Sequence, residues 1–349
     1  MAGLGALKRT MGLTIIITFA IFLGLLTVIS LLFSIDPAAA FILGLTGGFL
    51  IMFIQYLIGP TIVRWTSHLH YLQPGENRWL EAKVSELAGK SGIPMPRLAI
   101  SPDPTPNAFA FGRTQRDATL AVNQGLLQRL NEEEIEGVLG HELGHIKHRD
   151  FIVVTLISAI PLIAYLIART VFWTGATSSY GGRRGKSDNG TGILIIAAVA
   201  AYVVYILTTL LSLRLTRLRE SYADAYSAFL TQQPRELESA LTKIAYGLSL
   251  SPEEPHGARA FFIEDPAQAR MEVASIIEQK NKYDLDHDGV LSERELEQAM
   301  EAEAKSNWRK FNEAFSTHPP VFKRILLLRE IEQDLDSGTF TQTNAYSHV

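Results

Sequence analysis

The sequence predicts a mainly α-helical protein with a small antiparallel β-sheet and four transmembrane helices. Three observations lead there. Four apolar runs of about 20 residues, long enough to cross a bilayer, punctuate a chain of 349 residues. Three short β-like pieces stand together between turn signals, and most of what remains reads as helix. Charged residues make up only 19% of the chain, and its mean hydropathy is positive, which is apolar for a soluble globular protein.

Leu13–Phe33 and Ala38–Ile58 contain no charge, Phe151–Trp173 carries only Arg169 near its far end, and Ile193–Leu213 carries none. At about 1.5 Å per residue, each run matches a hydrocarbon core of about 30 Å. Lys8, Arg9 and the alanines at 38–40 give the first run the outline of a signal peptide. Its apolar stretch exceeds the roughly 7–15 residues of a signal h-region and a second span follows at once, so it reads as retained. Residues 1–62 and 151–213 thus form two transmembrane hairpins. Lys8, Arg9, Arg64, Lys147, Arg149, Arg214, Arg217 and Arg219 outnumber Arg183, Arg184 and Lys186 across the membrane. The positive-inside rule therefore puts both termini and the charged domains in the cytoplasm, beneath a cell (inner) membrane.

The soluble part begins at 63–150. A helix over Glu76–Lys90 ends at Ser91-Gly92, and β-like pieces follow at Arg97–Ser101, Asn107–Phe111 and Ala118–Val122 between Pro, Asp and Gly turns. Asn131, followed by Glu132, Glu133 and Glu134, is an N-cap with an acidic first turn, starting a helix that runs to about Lys147. From 214 the chain reads as helical apart from turns near Pro252–Pro255, Asp284–Gly289 and Thr317–Pro320, with a polar tail after Asp334. A net charge of -4 without a sustained basic stripe points away from nucleic acid. The absence of cysteine excludes disulfides, thiolate nucleophiles and Cys-type metal sites, leaving His, Asp and Glu as metal ligands.

His141-Glu142-Leu143-Gly144-His145 lies inside the helix that begins at Asn131. Two histidines at i and i+4 share a helical face, so both imidazoles reach one ion. Glu142 is turned about 100° away and is free to take a proton from an attacking water that zinc would acidify. A catalytic zinc needs a third protein ligand, and Glu220 is the candidate; Asp224, one turn on, would accept from the other nitrogen of a zinc histidine. Topology supports the pairing. The His helix leads into the third span and Glu220 follows the fourth, so two crossings return the chain to the side it left.

These features resemble the HtpX-type membrane proteases, which share a family of integral-membrane zinc endopeptidases with the CAAX prenyl proteases. The resemblance implies an α+β zincin-like catalytic domain acting on protein substrates, mainly misfolded or damaged membrane proteins cut at the cytoplasmic face. Asn107, Ala108, Phe109 and Ala110 resemble the family's edge strand, which pairs with substrate backbone. Phe315-Ser316-Thr317-His318-Pro319-Pro320 resembles its late motif. The resemblance assigns His318 to the oxyanion of the tetrahedral intermediate and Arg324 to substrate binding. On this reading 63–150 and 214–266 are the first and second parts of the catalytic domain, and 313–349 is its C-terminal part and tail.

The segment 267–312 departs from that family. Asp284, Asp286 and Asp288 stand at positions one, three and five of an EF-hand loop, followed by Gly289 at six. Val290 offers a carbonyl at seven, Ser292 sits at nine and Glu295 is the bidentate ligand at twelve. Calcium is therefore expected in this insert, where ordering of the loop would act on the nearby His318. Asp334–Gly338 opens like a second loop, but its glycine comes one place early and no glutamate stands at twelve.

Three rival readings fit the residues less well. An intramembrane-cleaving protease would bury its motif in an apolar span, whereas Asn131–Glu136 is too acidic for hydrocarbon. CAAX prenyl proteases have more than four spans. A non-catalytic calcium-binding scaffold would have no chemical need for Glu142.

Overall fold

The computed structural model describes residues 3–34, 36–178, 188–249, 263, 280–285, 295, 298–299 and 315–341. In chain order the elements are α1 (Gly3–Phe33), α2 (Pro37–Thr66), β1 (His70–Tyr71), α3 (Arg78–Ser91), β2 (Arg97–Ser101), β3 (Ala108–Phe111) and β4 (Thr119–Asn123). They continue with α4 (Gln124–Arg129), α5 (Glu132–His148), α6 (Asp150–Ser178), α7 (Asp188–Thr231), α8 (Pro234–Ser249), a single helical turn at Lys280–Tyr283 and α9 (Val321–Asp336). Two compact units result, one of Lys8–Ile58 with Val153–Leu215, the other built chiefly from Gly59–Ile152 and Thr216–Val349.

Among the described residues, the first unit is helical apart from the turn at Ser34 and Asp36. Arg9–Phe33, Ile42–Thr66, Asp150–Ala176 and Gly192–Thr231 are each long and apolar enough to cross a membrane. Phe22, Leu25 and Leu26 of α1 pack with Ile160, Ile163, Ala164 and Ala168 of α6 and with Ala201 of α7, where the alanines let backbones approach. Ile16, Leu31, Leu43 and Phe49 point outward, as side chains facing lipid would. The hydroxyls of Thr14, Thr18 and Ser212 bond back to the carbonyls of Thr10, Thr14 and Thr208 at 2.7–2.8 Å, satisfying themselves without water. At 44 residues, α7 is about 66 Å long, twice a bilayer core. One helix therefore carries both the fourth apolar run and the polar stretch beyond it.

The second unit centres on a four-stranded sheet of order β1-β2-β4-β3. The sheet is mixed rather than purely antiparallel. β3 and β4 form an antiparallel hairpin, but β4 folds back into the position beside β2 and runs parallel to it. The long β2-to-β4 connection, which contains β3, supplies the crossover that parallel neighbours require. β3 is left at the sheet edge, and all five residues of β4 are buried at its centre. Ala99, Phe109, Phe111 and Ala121 share one sheet face and pack against Val63, Leu69 and Tyr71.

Helix α5 packs on α3, α8 and β3, and α8 packs on α9. Its start is a capping box: Asn131 Oδ1 accepts from the Glu134 N–H (2.8 Å) and Glu134 Oε2 from the Asn131 N–H (2.9 Å). The other oxygen of Glu134 accepts from Ser239 at 2.5 Å and from Lys243, tying the cap to α8. At the far end Gln115 Nε2 donates to the Lys147 carbonyl (2.9 Å), and Arg149 turns the chain in the left-handed region at φ 57°. Glycines 137, 140 and 144 line the faces of α5 that meet α7 and α8. A Cβ on Gly140 would stand 2.7 Å from Ser227 Oγ, and one on Gly137 3.0 Å from the Leu237 nitrogen. Ser227 uses this closeness to donate to the Gly137 carbonyl at 2.6 Å.

Candidate metal centre

His141 and His145 stand one turn apart on α5, and Glu220 comes from the polar part of α7. The ligand atoms of these three side chains lie within 4.8 Å of one another. The separations are 3.1 Å between the two Nε2 atoms, 3.4 Å from His141 Nε2 to Glu220 Oε2, and 3.5 Å from His145 Nε2 to Glu220 Oε1. Ligands at zinc distances of about 2.0–2.1 Å in a tetrahedral set would be about 3.3–3.4 Å apart, so the triangle has the right size.

The chemistry of the set agrees. His141 Nδ1 bonds to Asp224 Oδ1 at 2.8 Å and His145 Nδ1 to Asp150 Oδ2 at 2.7 Å. Protons on both Nδ1 atoms leave two Nε2 lone pairs aimed at the same point. Glu220 adds a third acceptor, and among the described residues no donor in hydrogen-bonding geometry reaches its buried Oε2. Three acceptors converging in a buried pocket fit a cation. From protein groups alone, burial opposes a charged His141, but Asp224 and Glu220 outweigh it and push its imidazole up to about 9. Burial draws His145 down. Burial also raises the Glu142 carboxyl above the usual range, against the pull of the two histidines.

Glu142 is 3% exposed, and the Ala110 backbone of β3 is among the groups that act on its carboxyl. The Asn123 N–H donates to the Asn107 carbonyl, so by strand alternation Ala108 and Ala110 turn their backbone groups to the open edge. His318, in the loop before α9, brings Nε2 to 3.9 Å from Glu220 Oε2. Its Nδ1 shares a 2.9 Å hydrogen bond with the Thr317 hydroxyl, and Arg217 of α7 braces the loop by donating to the Ser316 carbonyl at 2.7 Å.

Arg324, expected at the substrate surface, is instead 1% exposed. Its Nε and Nη2 donate to the two oxygens of Asp224 at 2.8 and 2.7 Å, a paired fork that occupies the guanidinium within the protein. Of the calcium-loop residues, Asp284 and Glu295 are both buried, and the Leu285 N–H donates to Glu295 Oε1 at 2.6 Å. Asp286, Asp288, Val290 and Ser292 lie outside the described residues. Sequence reasoning missed Asp150 and Arg219. Asp150 reads as an acid ahead of an apolar span, and the left-handed turn at Arg149 that carries it back to His145 has no residue-type signal.

His148, one turn beyond His145, donates from Nδ1 to the Gly144 carbonyl (2.7 Å) and meets the rings of Tyr222 and Tyr226 edge-on. Burial drives its imidazole down to about 3. Between that value and about 6.5 the unfolded chain binds the extra proton, so stability is complete above about pH 6.5 and falls as pH drops. In detergent, melting at pH 4 should lose at least about 1.4 kcal/mol relative to pH 7, the worth of one pKa unit, and His148→Phe should flatten that dependence. An unchanged slope in the variant would remove His148 as its source.

The helix with paired histidines around a glutamate, joined to apolar spans, marks the class as a membrane metallopeptidase. Peptidase family M48 matches residues 74–332, and the chain belongs to that family. It is similar to the "Protease HtpX homolog" of Methanothermobacter thermautotrophicus, at 42% identity over 65% of this chain and 85% of the relative. That of Thermococcus kodakarensis is 34% identical over 91% and 95%. "Protease HtpX homolog 2" of Methanosarcina acetivorans is 33% identical over 94% and 96%. Among solved structures, S. mikatae Ste24p superposes with a TM-score of 0.48 at 14% identity, covering 92% of this chain and 65% of that one.

Proposed function

We propose that this M48 peptidase is a zinc endopeptidase that cleaves misfolded or damaged membrane proteins at the cytoplasmic face of the cell (inner) membrane. The observation that carries the reading is the triangle of three convergent acceptors, His141 Nε2, His145 Nε2 and the Glu220 carboxylate, at zinc-ligand separations. When bound, zinc supplies Lewis acidity toward the scissile carbonyl and the attacking water. Glu142 takes the proton from that water and returns it to the leaving amine. His318 Nε2 donates to the oxyanion. The outward backbone groups of Ala108 and Ala110 bond an extended substrate strand, and Asn107 and Phe109 keep β3 in register with β4. Backbone pairing selects for an unfolded segment rather than a sequence, which suits damaged proteins as substrates.

The insert supports a second, dependent role for calcium. The two ends of the loop, Asp284 and Glu295, are brought together by the Leu285 bond to Glu295, as an EF-hand loop requires of its first and twelfth positions. Calcium held by Asp284, Asp286, Asp288, Val290, Ser292 and Glu295 would order the insert ahead of His318.

One experiment tests both. Casein hydrolysis by protein in detergent should fall at least about 10²-fold with 1,10-phenanthroline and return on adding zinc. At fixed free zinc, a calcium-selective chelator should lower the rate. Insensitivity to phenanthroline would sink the zinc reading, and equal rates with and without calcium would sink only the second. Preference for prenylated peptides over casein would turn the assignment toward a CAAX-type endopeptidase. Absence of hydrolysis at full zinc loading would point to the scaffold.

A further inference from the structure

Each histidine of the pair is held at Nδ1 by a carboxylate, and each carboxylate is held in turn by a buried arginine. On one side His141 is bonded to Asp224, which receives the Arg324 fork. On the other, His145 Nδ1 meets Asp150 Oδ2 at 2.7 Å, and Arg219 forms an ion pair with the second oxygen of Asp150. We infer that Asp150 and Arg219 are positioning residues for His145, forming a second support of the metal centre that mirrors Asp224 and Arg324. This rests on the zinc reading of His141, His145 and Glu220.

Local structure explains how the support is built. Helix α5 ends when Arg149 adopts φ 57°, and this reversal returns the next residue, Asp150, to the histidine five places earlier. Asp150 is also the first residue of α6, where the helix N-terminus favours a negative charge. Arg219 stands on α7 immediately before Glu220, so one turn of α7 supplies both the third ligand and the cation that neutralises Asp150. The side chains of Arg219 and Asp150 are 5% and 10% exposed, and among the described residues Asp150 is the carboxylate that this arginine meets in an ion pair. A surface pair would contribute little. A nearly buried pair ending on a histidine has a specific task, to fix the Nδ1–H tautomer and the ring angle of His145 so that Nε2 points at the shared position. His145 needs this more than His141, because its side chain is 18% exposed against 1%.

The test measures metal binding rather than turnover. Asp150→Asn, in the full chain in detergent, should bind zinc about 10–100-fold more weakly in a chelator competition. Its cobalt-substituted form should show a shifted visible absorption band, which a merely structural role would leave in place. If Arg219 acts through Asp150, Asp150→Asn with Arg219→Gln should bind zinc no more weakly than Asp150→Asn alone. An additive loss would remove Arg219 from the support. Zinc affinity within twofold of wild type with an unshifted cobalt band would overturn the proposal. Should Asp150→Asn fail to fold, Arg219→Lys keeps the charge but loses the planar guanidinium that meets the second oxygen of Asp150, and the same criteria apply to it. A wild-type protein that takes up no stoichiometric zinc would instead sink the underlying metal-site reading.

Discussion

Glu142→Gln is expected to lower peptide hydrolysis by about 10²–10⁴-fold while zinc content stays at about one ion per chain. The amide keeps the shape of the carboxylate but cannot accept a proton, so the loss isolates proton transfer from folding and metal binding. Glu142 is not one of the three convergent acceptors, which is why the metal should remain. Burial raises its carboxyl, and a divalent ion beside it would act the other way, keeping the base ionised near neutral pH. Casein cleavage with metal analysis on the same preparation reads both quantities. Hydrolysis within tenfold of wild type would falsify the role given to this carboxylate.

The second large effect is on stability. Arg324→Leu should cost about 3–5 kcal/mol, because it leaves the Asp224 carboxylate buried without its cation. Both side chains of the pair have no exposure at all. The arginine also donates to the Ile263 carbonyl, so its loss would release that residue as well. Denaturant unfolding in detergent measures the cost. Asp224→Asn with Arg324→Leu should recover part of it, since the double variant buries no lone charge. A single variant within about 1 kcal/mol of wild type would show that the pocket is wetter than the geometry says.

Much of this architecture was legible in the residues. The four apolar runs fall in α1, α2, α6 and α7, and the acidic turn after Asn131 does start α5 with a capping box. The helical spacing of His141 and His145, and the return of the chain to Glu220, also place those residues together in the structure. What stayed hidden depends on backbone geometry that no residue type announces. The two-residue β1 is too short to carry a pattern, and the parallel pairing of β2 with β4 follows from which gap a hairpin strand fills. Asp150 and Arg219 acquire their meaning only from a left-handed turn at an arginine. Arg324 was assigned by resemblance to the substrate side, while its long side chain reaches inward to a carboxylate 100 residues away in the sequence.

The glycines of α5 set the manufacturing tolerance of the metal pocket. Metal–ligand distances allow about ±0.2 Å. A methyl group on Gly140 would stand 2.7 Å from Ser227 Oγ, too close for the hydroxyl to stay where it is. Ser227 lies two turns along α7 from Glu220, on the same side of that helix. At Gly137 the neighbour is backbone, the Leu237 nitrogen 3.0 Å from where a Cβ would stand, and no change of rotamer can move it aside. A single carbon on this face of α5 therefore displaces a neighbour, and at Gly140 takes the Ser227 hydroxyl from the Gly137 carbonyl, before any ligand has been touched.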